Sequence, residues 1–548
     1  MKRFFTLLAL LGFVFSVKAQ IAPNKYWIQF TDKNDSPYSI NEPEEFLSER
    51  ALQRRSDYNI DIDDYDIPVN PAYIQAVVEK GATIINPSKW LNGVTVELSD
   101  PSVITEIESL PFVEKTRAFH NNNLKREIKE KRFFSNEFMS ASDNVDYRDY
   151  YGMAYDQINQ LNGITLHETG YKGQGMWIGL CDGGYDYADK HEVFEDMYSN
   201  NRLLGTRDFV HKNGNVYNES SHGTSCLSLM AGNIPDKYVG TAPLASYYLC
   251  RTEDVKSENI IEEYNWVSAA EFLDSLGIDI ISTSLGYVDF DNPQWDHVYS
   301  DLDGETSVIT FGSEIACSRG ILCVTSAGNE GETSFPYISV PADGENVLTV
   351  GAVDKYGDKA SFSSIGPTYD NRIKPDVMAH GYNVTVAATW GNGYAEGSGT
   401  SFSCPVLAGM AACLWQANKH LPASAIRDAL RQNASETGNP NNNYGYGIPD
   451  FKAAFEALII EENHNSVINS LISVYPNPSS GNVMVAIETI GKVNVEVYDE
   501  IGKLLYSNIV TRYYISDLTS FLNELGPGLY FVKLNDDENN SAFKFVKY

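Results

Sequence analysis

Residues 397–409 read GSGTSFSCPVLAG, and four of them, Ser398, Ser401, Ser403 and Cys404, carry a hydroxyl or thiol that could act as a nucleophile. A serine hydroxyl attacks poorly unless a base takes its proton and a carboxylate orients that base. Three other positions offer the missing groups. Asp182 ends the apolar run MWIGLC and precedes two glycines, His222 opens the stretch HGTSCLSLMAG, and Asn329 follows ILCVTSAG. Each has a plainer reading alone: a turn aspartate serving its own backbone, a histidine that starts a helix, an asparagine in a left-handed turn. As a set, an acid, a base, a nucleophile and an amide donor are what acyl transfer requires.

Pro405 narrows the choice of nucleophile. Proline has no N–H and is tolerated in the first turn of a helix, so the helix PVLAGMAACLWQ is predicted to start within a few residues of it. Ser401 then lies at or beside the helix N-terminus, where free N–H groups and the dipole stabilise developing negative charge. Ser403 and Cys404 fall inside the first turn and Ser398 in the Gly-rich approach. Ser401 is therefore the expected nucleophile. Cys404 reads as buried filler, since no second histidine sits in a comparable motif. A metallohydrolase reading fails because HEVFE, from His191, lacks the second histidine of HExxH.

The elements that must position these groups lie between residues 151 and 456. Apolar strands such as MWIGLCD, ASYYLCR, GIDIISTSLG, GILCVTSAGN and NVLTVGAVD alternate with helices such as IIEEYNWVSAAEFLDSLG. That alternation predicts an α/β domain with a mostly parallel sheet covered by helices on both faces. In such folds ligands sit beyond the carboxyl ends of the strands, where Asp182 and Asn329 stand.

Other units flank this one. Residues 1–19 read as a signal peptide, with Lys2 and Arg3 ahead of the apolar Phe4–Val17. Residues 20–119 alternate strands with helices and predict a small α+β domain. A polar, basic linker follows at 120–150. Residues 457–471 read as a tether, and 472–548 as a small all-β sandwich of short strands without a helix.

The chain has 548 residues, too many for one core, with 43% hydrophobic and 21% charged residues. Its formal charge of −32 argues against nucleic acid as a partner, since phosphate binding needs clustered Lys and Arg. No later segment has the length and apolarity of a membrane span. Seven cysteines, Cys181, Cys226, Cys250, Cys317, Cys323, Cys404 and Cys413, sit mostly in apolar runs without zinc-type spacing. Their pairing is not readable.

The motifs GLCDGGYD, HGTSCLSLMAG, GTAPLASYYLCR, STSLG, SAGNEG, KPDVMAHG and GTSFSCPVLAG together resemble a subtilisin-like serine protease over about 300 residues. The resemblance implies that Ser401 attacks the peptide carbonyl, His222 accepts its proton and Asp182 holds the imidazole. It assigns oxyanion stabilisation to the Asn329 side chain with the Ser401 N–H. It implies that Ser284, Leu285 and Gly286 pair with substrate backbone as an added strand. Departures are Ser403, Cys404 and His380, which stand where the family commonly has other residues, and the loop from Asp182 to His191. That loop leaves any structural calcium ion open, while the chemistry requires no cofactor and no metal. Residues 20–119 resemble the family's propeptide, which assists folding and blocks the site until it is removed. Residues 472–548, with YPNPSSG, VYDEIGKLLY and GLYFVKL, resemble the Bacteroidetes type IX sorting domain. The implied protein is a secreted or surface-associated endopeptidase made as a zymogen. Its implied partners are peptide substrates, its own propeptide and export machinery. The alternative is a non-catalytic subtilase-like binding or adhesion protein.

Overall fold

The computed structural model describes residue 22 and residues 24–119, 149–211, 214–388, 391–465, 472–475, 484–487, 493–510, 516–535 and 540–547. The expected signal peptide and nearly all of the linker lie outside these residues.

Seven strands form the central sheet: β1 Trp177–Asp182, β2 Leu203–Asp208, β3 Ser246–Arg251, β4 Ile280–Thr283, β5 Leu322–Ser326, β6 Leu348–Val353 and β7 Val377–His380. Their order is β7-β6-β5-β4-β1-β3-β2 and every pair is parallel. β2 and β7 are the two edges, and neither was expected as a strand: LLGTRD lacks an apolar run and VMAH is four residues long. Successive side chains of a strand point to opposite faces, and two apolar layers result. Ile178, Leu180, Leu322 and Val324 join one with α1 (His222–Ala231) and α4 (Thr400–Ala417). Cys181, Ile281 and Cys323 join the other with α2 (Ile261–Leu276) and α3 (Val308–Ser318). Burial on both faces explains why these strands read as continuous apolar runs.

The start of α4 differs from expectation. It begins at Thr400, capped by Gly399, and Pro405 lies inside it rather than in its first turn. Ser401 is still at the N-terminus, as its second residue. The last helix of the unit, Phe451–Asn465, continues past the expected boundary at 456.

The N-terminal unit has a four-stranded antiparallel sheet in the order Ala82–Ser88, Gly93–Leu98, Lys25–Phe30, Val113–Ala118. It clasps α2. Asp274 of α2, fully buried, accepts from Arg54 at 2.6 Å, Arg55 at 3.0 Å and Lys89 at 3.2 Å. One turn earlier Glu271 accepts from the Ser88 hydroxyl at 2.5 Å and from the N–H groups of Lys89 and Trp90 at 2.7 and 3.1 Å. At Phe119 the carbonyl accepts from the Asn259 amide at 3.3 Å.

The C-terminal unit contains a four-stranded antiparallel sheet and a two-stranded one, but it is not purely β. The helix Ser516–Glu524 packs Leu518 and Leu522 on Val495, Val497 and Val532. Its apolar residues four apart were readable as a helical face and were overlooked among the strands.

Candidate active site

Asp182 is the last residue of β1 and His222 the first of α1, so a strand end and a helix start deliver the pair to one edge of the sheet. Imidazole Nδ1 lies 2.9 Å from Asp182 Oδ2 and 3.1 Å from Oδ1. The Gly183 N–H donates to Oδ1 at 2.7 Å and steadies the carboxylate. His222 is 9% exposed. Burial alone pushes an imidazole toward its neutral form, but the Asp182 charge, aided by Cys226, outweighs it and holds His222 well above the ordinary histidine range.

Ser401 is 4% exposed, and its Oγ has no hydrogen-bond partner among the described residues. Its neighbour Phe402 packs against the His222 ring at 5.7 Å between centroids. Cys226, one turn along α1 from His222, contacts both sides of the site. Its Sγ is 3.8 and 3.9 Å from the two imidazole nitrogens and 3.3 Å from the Ser401 carbonyl oxygen. Sequence reading did not single out Cys226, although its spacing of four from His222 on a helix was the available signal.

Asn329 stands three residues beyond β5, after Gly328 at φ 105°, a left-handed conformation suited to glycine. Its Oδ1 accepts from the Thr400 N–H at 2.9 Å and the Thr400 hydroxyl at 3.1 Å. The same hydroxyl accepts from Gly328 N–H at 3.1 Å. With Oδ1 so engaged, the amide N–H₂ is left as a donor beside the start of α4. Asn329→Ala is expected to lower kcat by about 10²–10³ with KM nearly unchanged, the size known for such a donor in subtilisin. An unaltered kcat in steady-state kinetics removes Asn329 from the oxyanion site.

Ser284, Leu285 and Gly286 follow β4 directly. A Cβ on Gly286 would meet Ser339 Oγ at 2.1 Å, so a larger residue requires the Ser339 side chain to move. Tyr287 exchanges backbone bonds with Val340 at 3.0 and 3.2 Å, whereas Gly286 makes no backbone–backbone bond among the described residues. The Ser284 hydroxyl is already engaged, donating to the Ser401 carbonyl at 2.8 Å. His380 ends β7 with its ring buried against the Tyr382 carbonyl.

Among the described residues, potential metal-ligand atoms converge at Asp182, His222 and Cys226 and again at Glu253, Glu258 and Glu262. Residues 183–191 join neither group.

The Subtilase family model matches residues 173–447, half of the chain. The chain belongs to the subtilase family. This subtilase is 27% identical to Subtilisin NAT of Bacillus subtilis subsp. natto over 384 residues, covering 69% of this chain and 84% of that one. It is 31% identical to Subtilisin DY of Bacillus licheniformis over 294 residues, 53% of this chain and 94% of that one. Serine protease AprX of Bacillus subtilis (strain 168) is 29% identical over 316 residues, 52% of this chain and 66% of that one. Residues 25–134 match the peptidase S8 propeptide domain of Bacteroidota, and residues 473–548 a secretion system C-terminal sorting domain. The subtilase is thus a serine endopeptidase with an N-terminal propeptide domain and a C-terminal sorting domain. No described helix is long and apolar enough to cross a membrane.

Proposed function

We propose that this subtilase is a zymogen that hydrolyses peptide bonds through an acyl-enzyme on Ser401. What supports the reading is the His222–Asp182 pair at 2.9 Å set beside a helix start that holds an unpartnered Ser401 hydroxyl. Because Nδ1 is committed to Asp182, Nε2 is the nitrogen that accepts the Ser401 proton as Oγ bonds to the scissile carbonyl carbon. The carbonyl oxygen becomes an oxyanion between the Asn329 amide and the Ser401 N–H, at the positive end of α4. His222 then returns the proton to the leaving amine, and water releases the acyl group by the same steps in reverse order. Substrate backbone pairs along Ser284, Leu285 and Gly286. No step calls on a cofactor. The test is the Ser401→Ala precursor, which should stay uncut in mass spectra; normal processing would sink self-maturation.

The N-terminal domain, residues 20–119, holds the enzyme through α2 until linker 120–150 is cut. That hold depends on pH. Burial raises the Glu271 carboxyl to about 7, against which Ser88, Lys89 and Trp90 act, while Asp274 is held down to about 2 although burial alone would raise it, because the charges of Lys89, Arg55 and Arg54 outweigh burial. A carboxyl raised in the bound state favours binding below its free value, near 4.5, and loses that contribution as pH rises through about 7. The Asp274 pairs stay intact across this window. Gel filtration of the cut complex should therefore show propeptide retained at acid pH and shed as pH passes 7, with Glu271→Gln flattening the change. Equal retention across that range in the unmodified enzyme rules out Glu271 as the sensor. Residues 472–548 deliver the enzyme through the type IX export route to the cell surface or medium, where it meets protein substrates.

A further inference from the structure

Helix α4 runs from Thr400 to Ala417 with Pro405 inside it. In an α-helix the N–H of residue 405 would donate to the carbonyl of residue 401. Proline has no such donor, and its ring presses on that carbonyl. The residue stripped of its helical partner is thus Ser401, in a setting where a buried carbonyl left unpaired is costly.

Two side chains from other elements replace the missing donor. Ser284 Oγ, from the segment after β4, donates to the Ser401 carbonyl at 2.8 Å. Cys226 Sγ, from α1, lies 3.3 Å from the same oxygen and within 3.9 Å of both imidazole nitrogens. One main-chain oxygen therefore ties together the helix of the nucleophile, the helix of the base and the substrate-binding segment. A catalytic constellation has to be held to about 0.5 Å, and a helix end alone frays.

We propose that the Ser401 carbonyl, opened by Pro405, is the anchor that sets the nucleophile in register with His222, and that the Ser284 hydroxyl is a positioning residue for the reaction. This rests on Ser401 being the nucleophile. It also gives the serine of the substrate-binding segment a second task, carried by its side chain rather than its backbone.

A double-mutant cycle on the full-length chain tests it, with kcat and KM measured on a peptide substrate after maturation. Ser284→Ala should lower kcat about ten-fold, as expected for a buried acceptor losing its donor, and leave KM within about two-fold. Ser284→Cys, which keeps a donor, should retain more of kcat than Ser284→Ala. In a Pro405→Ala background residue 405 regains its N–H, so Ser284→Ala should cost less than about three-fold. Equal losses in both backgrounds, a loss lying in KM, or losses that track unfolding midpoints across the variants would overturn the anchor. A fluorophosphonate label is read in the same samples. Label on a residue other than Ser401 overturns the nucleophile assignment, whereas equal losses with Ser401 labelled overturn the anchor alone.

Discussion

Replacing Ser401 by alanine is expected to lower kcat by about 10⁶, the size that loss of the nucleophile has in subtilisin. The other three hydroxyl and thiol groups of the GSGTSFSC stretch are engaged elsewhere. Ser398 Oγ donates to Asn383 at 3.1 Å and Ser403 Oγ to the Thr400 carbonyl at 3.0 Å. Cys404 has its Sγ 3.5 Å from both the Thr283 and Val324 carbonyls. Burial also pushes its thiol up to about 12, so it carries almost no thiolate at neutral pH. Residual hydrolysis by the Ser401→Ala enzyme that is blocked by a thiol alkylating reagent would move the role to a cysteine, Cys404 or Cys226; complete loss supports Ser401.

Asp182→Asn is expected to have the second largest effect, about 10⁴ in kcat, because an amide in place of the carboxylate favours the imidazole tautomer with its proton on Nε2. The pH profile separates this from a folding defect. Catalysis needs neutral His222, and the Asp182 charge holds the imidazole well above its ordinary 6.5 in spite of burial. In the unmodified enzyme kcat/KM should therefore climb with pH, with a midpoint above about 6.5. Without the carboxylate, burial prevails and the midpoint should move to lower pH. Both profiles are measurable with one peptide substrate, and an unmoved midpoint would show that Asp182 does not set the state of the base.

What could be read from sequence follows from which interactions are local. Asp182, His222 and Ser401 each sit where a run of apolar residues begins or ends, and such boundaries leave a local mark. The five inner strands were legible for the same reason. Pro405 pointed to the correct region by an incomplete argument: α4 starts five residues ahead of it, because side-chain donors replace the bond that proline cannot make. Those donors could not be read, since Ser284 lies 117 residues from Ser401 in the chain. The clasp on α2 was hidden likewise, with Arg54 and Asp274 220 residues apart. Edge strands such as Val377–His380 are short, and the helix Ser516–Glu524 was passed over among strands that surround it.

The all-parallel order of the sheet has a consequence in time rather than in energy. Each neighbouring pair closes over an intervening crossover, and β1 joins β4 across about a hundred residues, Ile178 beside Ile280. Chains dominated by such distant pairings search slowly and expose unpaired edges while they do so. Helix α2 is the crossover from β3 to β4, the connection that must be seated before β4 can enter between β1 and β5. The N-terminal unit grips that crossover at Glu271 and Asp274, and a unit already folded is expected to shorten the search by holding it in place. If Glu271 and Asp274 retain the propeptide as proposed, substitutions there are expected to slow the folding of newly made chains as well as to loosen the complex.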